Sequence, residues 1–301
     1  MEPAKIEIVS VESVNVSLAP GSRRAAIRRF GSLVFWVALV VVLGHFMIEA
    51  FVRQMLYPVP SFPVPKASSP LEEVRLSTAE ADTVIGWFDP TGSSDGAATI
   101  QVLFLHGNGE NLATLHMAGM FEEFRRLGVD VLAVDYPGYG RSTGTPGEAA
   151  NVAAAVAGCE WLAERDPDAK RIVMGWSLGA AVAAQTATRC ADQLHGIVLA
   201  SAWKDLAGVA GDHFPAFVVR MAVSGDYDSA AALRNVDLPM ILIHGDRDDL
   251  IATRHGSALR DSLVGAGRSV RWVSVAGAGH NDLMGRREVW RAVSDLIESV
   301  G

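Results

Sequence analysis

The sequence predicts an α/β fold with a mostly parallel central sheet, and two observations lead to this prediction. Short runs such as TIQVLFLH, VDVLAVD and MILIHGD are apolar throughout, as are strands of a parallel sheet that is covered on both faces. Segments of helical length and periodicity separate these runs, which is the alternation expected of βαβ units. Half of the 301 residues are apolar, so the chain can bury one large core.

The individual elements follow from the same patterns. EEVRLST and TVIGWF are rich in branched and aromatic residues and predict an opening β-hairpin. NLATLHMAGMFEEFRRLG predicts one amphipathic helix that stops at Gly128. The remaining segments alternate regularly: helix EAANVAAAVAGCEWLAERD, strand RIVMGW, helix SLGAAVAAQTATRC, strand GIVLAS, and, after MILIHGD, helix ATRHGSALRDSLVGAG, strand VRWVSV and helix REVWRAVSDLIESV.

An apolar run over residues 30–52 is long enough to cross a bilayer as a helix. Four arginines precede it and only Arg53 follows closely, so the positive-inside rule predicts a cytoplasmic tail over residues 1–29 and an exported remainder. A cleaved signal peptide and a buried core helix are the competing interpretations. The segment before the run is long and contains Glu2, Glu7 and Glu12, and no clear cleavage site follows the run, so a retained single-pass anchor is favoured.

The rest of the chain divides into a linker and one domain. Residues 53–70 are rich in proline and serine and predict an extended spacer. Residues 71–301 carry the α/β pattern. Within them, residues 202–239 form a long connection of less regular sequence, for which a lid over an active site is a natural role. Apolar side chains of this region line either an acyl pocket or the core: Phe214, Phe217, Val218, Val219 and Met221.

The charge balance and the cysteines exclude several classes of function. A formal net charge of −8 argues against a nucleic-acid-binding protein, whose basic surface must neutralise phosphates. The two cysteines, Cys159 and Cys190, have neither C-x-x-C spacing nor a histidine cluster nearby, so neither a zinc site nor a disulfide framework is indicated. We therefore expect small core residues at both positions.

Two serines match the pattern G-x-S-x-G that surrounds many nucleophilic serines, namely Ser142 in GRSTG and Ser177 in GWSLG. The motif requires a strand that turns directly into a helix. Ser177 has this context, because RIVMGW precedes it and LGAAVAAQTA follows. Ser142 lies between YPGYG and TGTPG, whose prolines and glycines indicate a loop. Ser177 is thus the candidate nucleophile.

A nucleophilic serine needs a histidine to accept its proton and an acid to orient that histidine. In this type of fold the chain order is serine, acid, histidine, with the last two in loops after later strands. GAGHND places His280 in such a loop, and IHGDRDDLI offers three acids, Asp246, Asp248 and Asp249. A metal site at these aspartates is the weaker alternative, since hydrolysis by a serine and a histidine needs no metal or other cofactor.

Backbone N–H groups complete the candidate site. The amide of Leu178, directly after the nucleophile, is one candidate donor to the developing oxyanion. The glycine-flanked turn in LFLHGNGEN supplies the other, from Asn108 or Gly109.

The segments LFLHGNGEN, VLAVDYPGYGRSTG, GWSLG, IHGDRDDLI and GAGHND together resemble the α/β-hydrolase superfamily. More narrowly, the chain is similar to its membrane-anchored serine hydrolases, which include bacterial single-pass proteins and eukaryotic protein depalmitoylases. The resemblance covers nearly everything after residue 30. It implies that Asp248 is the acid and His280 the base, and that Ser142 belongs to a structural loop. STAEADTVIGW departs from it, because relatives have an Asp-Gly turn there.

The expected activity is hydrolysis of a carboxylic ester or thioester through an acyl-enzyme on Ser177. An amidase or peptidase with the same triad and a non-catalytic binding protein on this scaffold remain as alternatives. The anchor points to substrates near a bilayer, such as lipids or acylated proteins.

Overall fold

Among the residues that the computed structural model describes, eight strands form a single sheet, in the order β1-β2-β4-β3-β5-β6-β7-β8. β1 and β2 are antiparallel, as are β2 and β4, and every other neighbouring pair is parallel. This arrangement confirms the predicted α/β fold and the opening hairpin. The strands are β1 Glu72–Ser77, β2 Thr83–Asp89, β3 Ile100–Leu105, β4 Asp130–Val134, β5 Lys170–Trp176, β6 Gly196–Ala200, β7 Met240–Gly245 and β8 Val270–Val275.

The structure describes residues 20–79, 82–90, 100–223 and 226–301. Most of the predicted cytoplasmic tail, residues 1–19, and the hairpin turn at residues 80–81 therefore lie outside the described residues. The helices are α1 Pro20–Leu56, α2 Leu112–Met117, α3 Met120–Leu127, α4 Glu148–Arg165, α5 Leu178–Arg189, α6 Leu206–His213, α7 Ala216–Ala222, α8 Ser229–Leu233, α9 Thr253–Gly265 and α10 Arg287–Val300.

Helix α1 belongs to both of the compact units of the chain, residues 1–48 and residues 49–301. In the first unit most of its large apolar side chains are exposed, among them Ile27, Phe30 and Met47. By length and composition, Ile27–Leu56 is a candidate membrane span with a mean hydropathy of 2.2. The helix continues beyond the predicted anchor boundary at residue 52, and its last two turns belong to the second unit.

Helices cover both faces of the sheet. Side chains of α2, α3 and α10 share one hydrophobic core with alternate residues of the strands, among them Phe104 of β3. The neighbouring residue Leu103 lies against Gly158 of α4, which places α4 on the other face because successive strand residues point in opposite directions. α4 contacts α5 on that face, and α5 in turn contacts α8.

One predicted helix is divided in two, which corrects the expectation of a single helix up to Gly128. α2 ends at Met117 and α3 begins at Met120, with Gly119 between them at a φ of 76°. A left-handed residue interrupts the helical hydrogen-bond ladder, and glycine adopts it with little strain. Gly128, at a φ of 70°, ends α3 as predicted.

Three short helices, α6, α7 and α8, occupy the region that the sequence singles out as a lid, residues 202–239. Asp205 begins α6 and Asp228 begins α8, each accepting a hydrogen bond from a backbone N–H one turn further on. Most of the long connection is thus helical, with residues 224–225 outside the described part.

The turn from β5 into α5 brings three backbone segments into close contact. A Cβ atom on Gly175 would lie 2.0 Å from the carbonyl oxygen of Gly179, and one on Gly179 would lie 1.9 Å from that of Leu105 in β3. Neither position therefore has room for a side chain. Between them, Ser177 has a φ of 56° and a ψ of −119°, a backbone conformation that is strained for a non-glycine residue.

We predict that Gly179→Ala lowers the free energy of unfolding by at least ~2 kcal/mol, because the added methyl group must displace the backbone of β3. Gly211→Ala in α6 is the matched control. A Cβ there meets nothing within 4 Å, so this variant should gain about 0.5 kcal/mol from reduced backbone entropy of the unfolded chain. Urea unfolding of the detergent-solubilised proteins, followed by tryptophan fluorescence, measures both. Equal stability of the two variants would contradict the close packing.

Candidate active site

Ser177 and His280 are brought together at the carboxyl edge of the sheet. Ser177 follows β5 and its side chain is almost fully buried. His280 lies in the loop after β8, and its Nε2 atom is 3.0 Å from the Ser177 Oγ atom. The rings of His280 and Trp176 lie 5.5 Å apart, which restricts the imidazole on one side. The geometry allows the imidazole to accept the proton of the serine hydroxyl.

Asp248 contacts the other nitrogen of the same imidazole. Its Oδ2 atom lies 2.8 Å from His280 Nδ1 and accepts a hydrogen bond from the Ser201 hydroxyl at 2.9 Å. The Oδ1 atom accepts the backbone N–H groups of Leu250 and Ile251, at 3.1 and 2.8 Å. Both carboxylate oxygens are therefore held in place, and the ring is oriented with Nε2 toward Ser177.

The environment of Asp248 favours its charged form. Burial by itself would raise the pKa of this carboxyl group, but the neighbouring His244 and His280 side chains outweigh burial and hold the pKa well below its usual range. The backbone N–H of Ile251 acts in the same direction. A carboxylate that stays ionised beside His280 can stabilise the imidazolium that forms during proton transfer.

The three aspartates that follow β7 have different surroundings. Asp246 is exposed and accepts the backbone N–H of Gly277 at 2.7 Å, which links two loops at this edge. Asp249 is also exposed. Among these three carboxylates, Asp248 alone contacts His280 in the described structure.

Two further residues support Asp248, and one of them, Ser201, was not predicted from the sequence. Ser201 follows β6, has a φ of 47° and donates to Asp248. His244 is the second-last residue of β7 and stacks on Trp272. Its Nε2 atom lies 3.5 Å from Asp248 Oδ2 and 2.8 Å from the Ile251 carbonyl oxygen. The sequence contains a signal for both residues, because each lies at the end of a predicted strand. The carboxyl ends of adjacent parallel strands meet at one edge of a sheet, where Ser177 and Asp248 also lie.

Two of the three residues predicted as oxyanion donors, Leu178 and Asn108, line the cavity that Ser177 also borders. Leu178 is the first residue of α5, where the backbone N–H has no acceptor within the helix. Asn108 borders the same cavity as Ser177 and Leu178, and Gly109 follows it with a φ of 71°.

The Glu110 carboxylate stabilises the turn after β3, which carries Asn108. Glu110 Oε2 accepts the backbone N–H of Gly107 at 2.9 Å, and burial raises the pKa of Glu110. Asn111 then caps α2 and donates to the carbonyl oxygen of Phe62 at 3.0 Å. The segment predicted as a spacer therefore contacts the turn that carries Asn108.

An apolar cavity of about 440 Å³ opens beside Ser177, within the range of ~300–1,000 Å³ typical of small-molecule sites. Its walls come from the end of α1, the helices α6 and α7, and the loop after β7. Phe214, Val218 and Val219 line it, whereas Phe217 and Met221 do not and are exposed. Polar side chains in the wall are those of Asn108, Ser177 and His213.

Ser142 lies elsewhere and makes structural contacts. Its hydroxyl accepts the backbone N–H of Ile85 in β2 and donates to the carbonyl oxygen of Asp135 after β4, both at 2.9 Å. It is buried and ties the loop after β4 to the sheet.

Within the described ranges, no group of three or more histidine, cysteine and acidic side chains is arranged to hold a metal ion. Cys159 and Cys190 are buried and free.

Comparisons with known proteins agree with this architecture. A family model described as serine aminopeptidase, S33, matches residues 96–224. Protein Rv2307c of Mycobacterium tuberculosis, which is uncharacterized, is 34% identical over 253 residues, covering 82% of this chain and 86% of the relative. Lysophosphatidylserine lipase ABHD12 of Macaca fascicularis is 25% identical over 62% of this chain and 50% of its own length.

Solved structures share the fold. The esterase PF2001 of Pyrococcus furiosus aligns with a TM-score of 0.65 at 20% identity, over 80% of this chain and 97% of the esterase. A thermostable carboxyl esterase of Bacillus coagulans aligns with a TM-score of 0.61 at 18% identity, over 77% of this chain and 99% of that enzyme. From its sheet order, its strand-to-helix turn at Ser177 and these similarities, the chain belongs to the α/β-hydrolase superfamily.

Proposed function

We propose that the protein is a membrane-anchored serine hydrolase that cleaves carboxylic esters or thioesters. One observation carries this proposal: Ser177 Oγ lies 3.0 Å from His280 Nε2, while His280 Nδ1 lies 2.8 Å from Asp248 Oδ2. A serine, an imidazole and a carboxylate in this order provide a nucleophile, a proton acceptor and a group that orients the acceptor.

The chemistry follows from the positions of these atoms. Ser177 Oγ attacks the acyl carbonyl carbon as His280 Nε2 takes the hydroxyl proton, and Asp248 stabilises the resulting imidazolium. The N–H of Leu178 and that of Asn108 or Gly109 stabilise the tetrahedral oxyanion. The intermediate collapses, the carbon–oxygen or carbon–sulfur bond breaks, and His280 returns the proton to the leaving alcohol or thiol. Water, activated by His280, then hydrolyses the acyl-enzyme and regenerates Ser177.

The cavity favours an acyl group over a peptide. The family model that matches residues 96–224 is described as an aminopeptidase, and an aminopeptidase must bind the free ammonium group of its substrate. The described lining of the cavity contains no aspartate or glutamate that would pair with an ammonium group. The relative named as a lipase and the structural neighbours named as esterases support the same choice.

The membrane attachment rests on α1. Residues 30–52 lie within its candidate span, and we propose that they retain the enzyme as a single-pass anchor. Arginines at 23, 24, 28 and 29 precede residue 30, which supports a cytoplasmic N-terminus and an exported domain over residues 71–301, with a lid at 202–239.

Labelling with a fluorophosphonate probe tests the nucleophile. We expect the detergent-solubilised wild type to be labelled, Ser177→Ala to lose labelling completely, and His280→Ala to be labelled at least about a thousandfold more slowly because no base activates the hydroxyl. Ser142→Ala is the matched control. It should keep its labelling rate, although it leaves a buried N–H without an acceptor and loses about 1–3 kcal/mol of stability.

The labelling experiment has two contrary outcomes. Loss of label in Ser142→Ala but not in Ser177→Ala would assign the nucleophile to the other motif. A folded wild type that takes up no label would favour a non-catalytic binding protein on the hydrolase scaffold.

Asp248→Asn tests the charged carboxylate through the pH dependence of stability. Because the folded state lowers the pKa of Asp248, its charge stabilises the fold above the unfolded value of about 3.9, and this contribution is lost as the pH falls. We expect the variant to be about 1–3 kcal/mol less stable than wild type near neutral pH. The difference should shrink at about pH 3 in urea unfolding. A difference independent of pH would contradict the assignment.

Membrane orientation is testable with an impermeant maleimide. Asp261→Cys places a thiol at a position whose side chain is 66% exposed, in α9 of the domain. If the domain is exported, this cysteine reacts in intact bacterial cells as fast as in lysed cells, whereas Ser10→Cys reacts only after lysis. The reverse pattern would place the domain in the cytoplasm. The native cysteines are buried and serve as the background in the unmodified chain.

A further inference from the structure

The end of α1 forms one wall of the cavity beside Ser177. Val52, Met55 and Leu56 line it, opposite helices of the lid region. Val52 is 6% exposed and Met55 is 49% exposed, so one residue lies inside the wall and the other at its rim. These residues belong to the same compact unit as the sheet and Ser177.

Polar contacts hold this segment against the domain. Arg53 donates from Nη1 to the carbonyl oxygen of Pro146 at 3.2 Å. The hydroxyl groups of Tyr57 and Tyr227 are hydrogen-bonded at 3.1 Å, and Asn151 donates from Nδ2 to the Tyr227 hydroxyl at 3.2 Å. Burial raises the pKa of Tyr57 to about 12, so its hydroxyl stays protonated. The wall is therefore a fixed part of the domain.

Tyr227 connects the wall to the lid region. It lies between α7 and α8, is fully buried and has a φ of 49°, a conformation that is uncommon for a tyrosine. Its hydroxyl is the shared partner of Tyr57 and Asn151. The Tyr57–Tyr227 hydrogen bond thus joins the chain at the end of α1 to the lid region, whose helices form another wall of the cavity.

The lining selects a hydrocarbon occupant. Apart from Asn108, Ser177, His213 and the indole N–H of Trp203, the side chains of the described wall are apolar. A charged or strongly polar headgroup would lose its hydration there without a partner, whereas each methylene group gains from leaving water. The acyl chain, rather than the leaving group, is therefore the part of the substrate that fits.

We propose that the end of α1 sets the acyl-chain length that the enzyme accepts, with Met55 as the specificity-determining residue, and that the substrates are esters or thioesters of a long, unbranched fatty acid. This inference rests on the proposed serine hydrolase function. The helix that carries the proposed membrane anchor then has a second role, because its last two turns limit the length of the acyl chain that the cavity accepts. Each methylene group that the wall accommodates is worth about fourfold in kcat/KM.

Variants at Met55 test the wall in the full-length, detergent-solubilised protein. Met55→Trp fills the rim and Met55→Ala opens it. Met47 lies on the same helix, is 73% exposed and does not line the cavity, so Met47→Trp and Met47→Ala are matched controls. The readout is kcat/KM for p-nitrophenyl butyrate, octanoate, dodecanoate and hexadecanoate, together with the fluorophosphonate labelling rate.

Expected shifts follow from the geometry. Met55→Trp should move the preferred ester to a shorter acid, with a loss of at least about tenfold in kcat/KM for hexadecanoate and little change for butyrate. Met55→Ala should move the preference toward longer acids. Labelling rates of the two Met47 controls should stay within about twofold of wild type, because Met47 does not line the cavity. An unchanged chain-length profile in both Met55 variants, or an equal shift in the Met47 controls, would overturn the proposal.

A binding assay separates this proposal from the catalytic one. Ser177→Ala and the double variant Ser177→Ala, Met55→Trp are titrated with fatty acids of the same four lengths, competing with the fluorescent cis-parinaric acid. If longer acids bind more tightly and Met55→Trp abolishes this trend, the role of α1 in chain-length selection is supported even if the wild type is neither labelled nor active as a hydrolase. If the affinity depends neither on chain length nor on Met55→Trp, this role of α1 is refuted even for an active enzyme. Tyr57→Phe should broaden the length preference, since it frees the wall from Tyr227.

Discussion

The contact of β3, β5 and α5 around Ser177 is the constraint on which the rest of the structure depends. Gly175 and Gly179 let the three backbones approach to distances that a methyl group would block. The chain can turn directly from strand into helix only because of this approach, and Ser177 is left in a strained conformation at the carboxyl edge. Packing of the parallel strands on both sides offsets that strain. A serine on a looser turn would not be held against a histidine from a distant loop.

The buried carboxylate of Asp248 is a second constraint, which is electrostatic rather than steric. Removing a charge from water is unfavourable, and the structure compensates with the Ser201 hydroxyl, two backbone N–H groups and the His280 ring. These partners come from the ends of three neighbouring parallel strands, so the sheet order β6-β7-β8 brings them together. The group that orients the imidazole is therefore also a group whose ionisation stabilises the folded domain.

The segment between the apolar run and the sheet packs against the domain, whereas an extended spacer would make few contacts with it. Its beginning closes one side of the cavity, Tyr57 reaches the lid region, and Phe62 accepts a hydrogen bond from the residue that caps α2. From Pro58 onward its prolines prevent a helix, but they do not prevent packing. This stretch therefore continues directly from the apolar helix in the chain and also contacts the turn that carries Asn108.

The sequence by itself determined the α/β class, the order of the strands along the chain and the strand-to-helix turn at Ser177, because apolar runs, helical periodicity and glycine spacing are local properties. It also predicted loops for His280 and the aspartates. It missed the break at Gly119, since one glycine in an amphipathic stretch is equally compatible with a continuous helix. Residue patterns alone left three aspartates open, and only the family resemblance indicated Asp248. Tertiary structure brought Asp248 to His280, added Ser201 and His244 around it, and placed Val52 and Met55 in the wall of the cavity at Ser177. These contacts join residues far apart in sequence, and strand order and packing, which no local pattern encodes, bring them together.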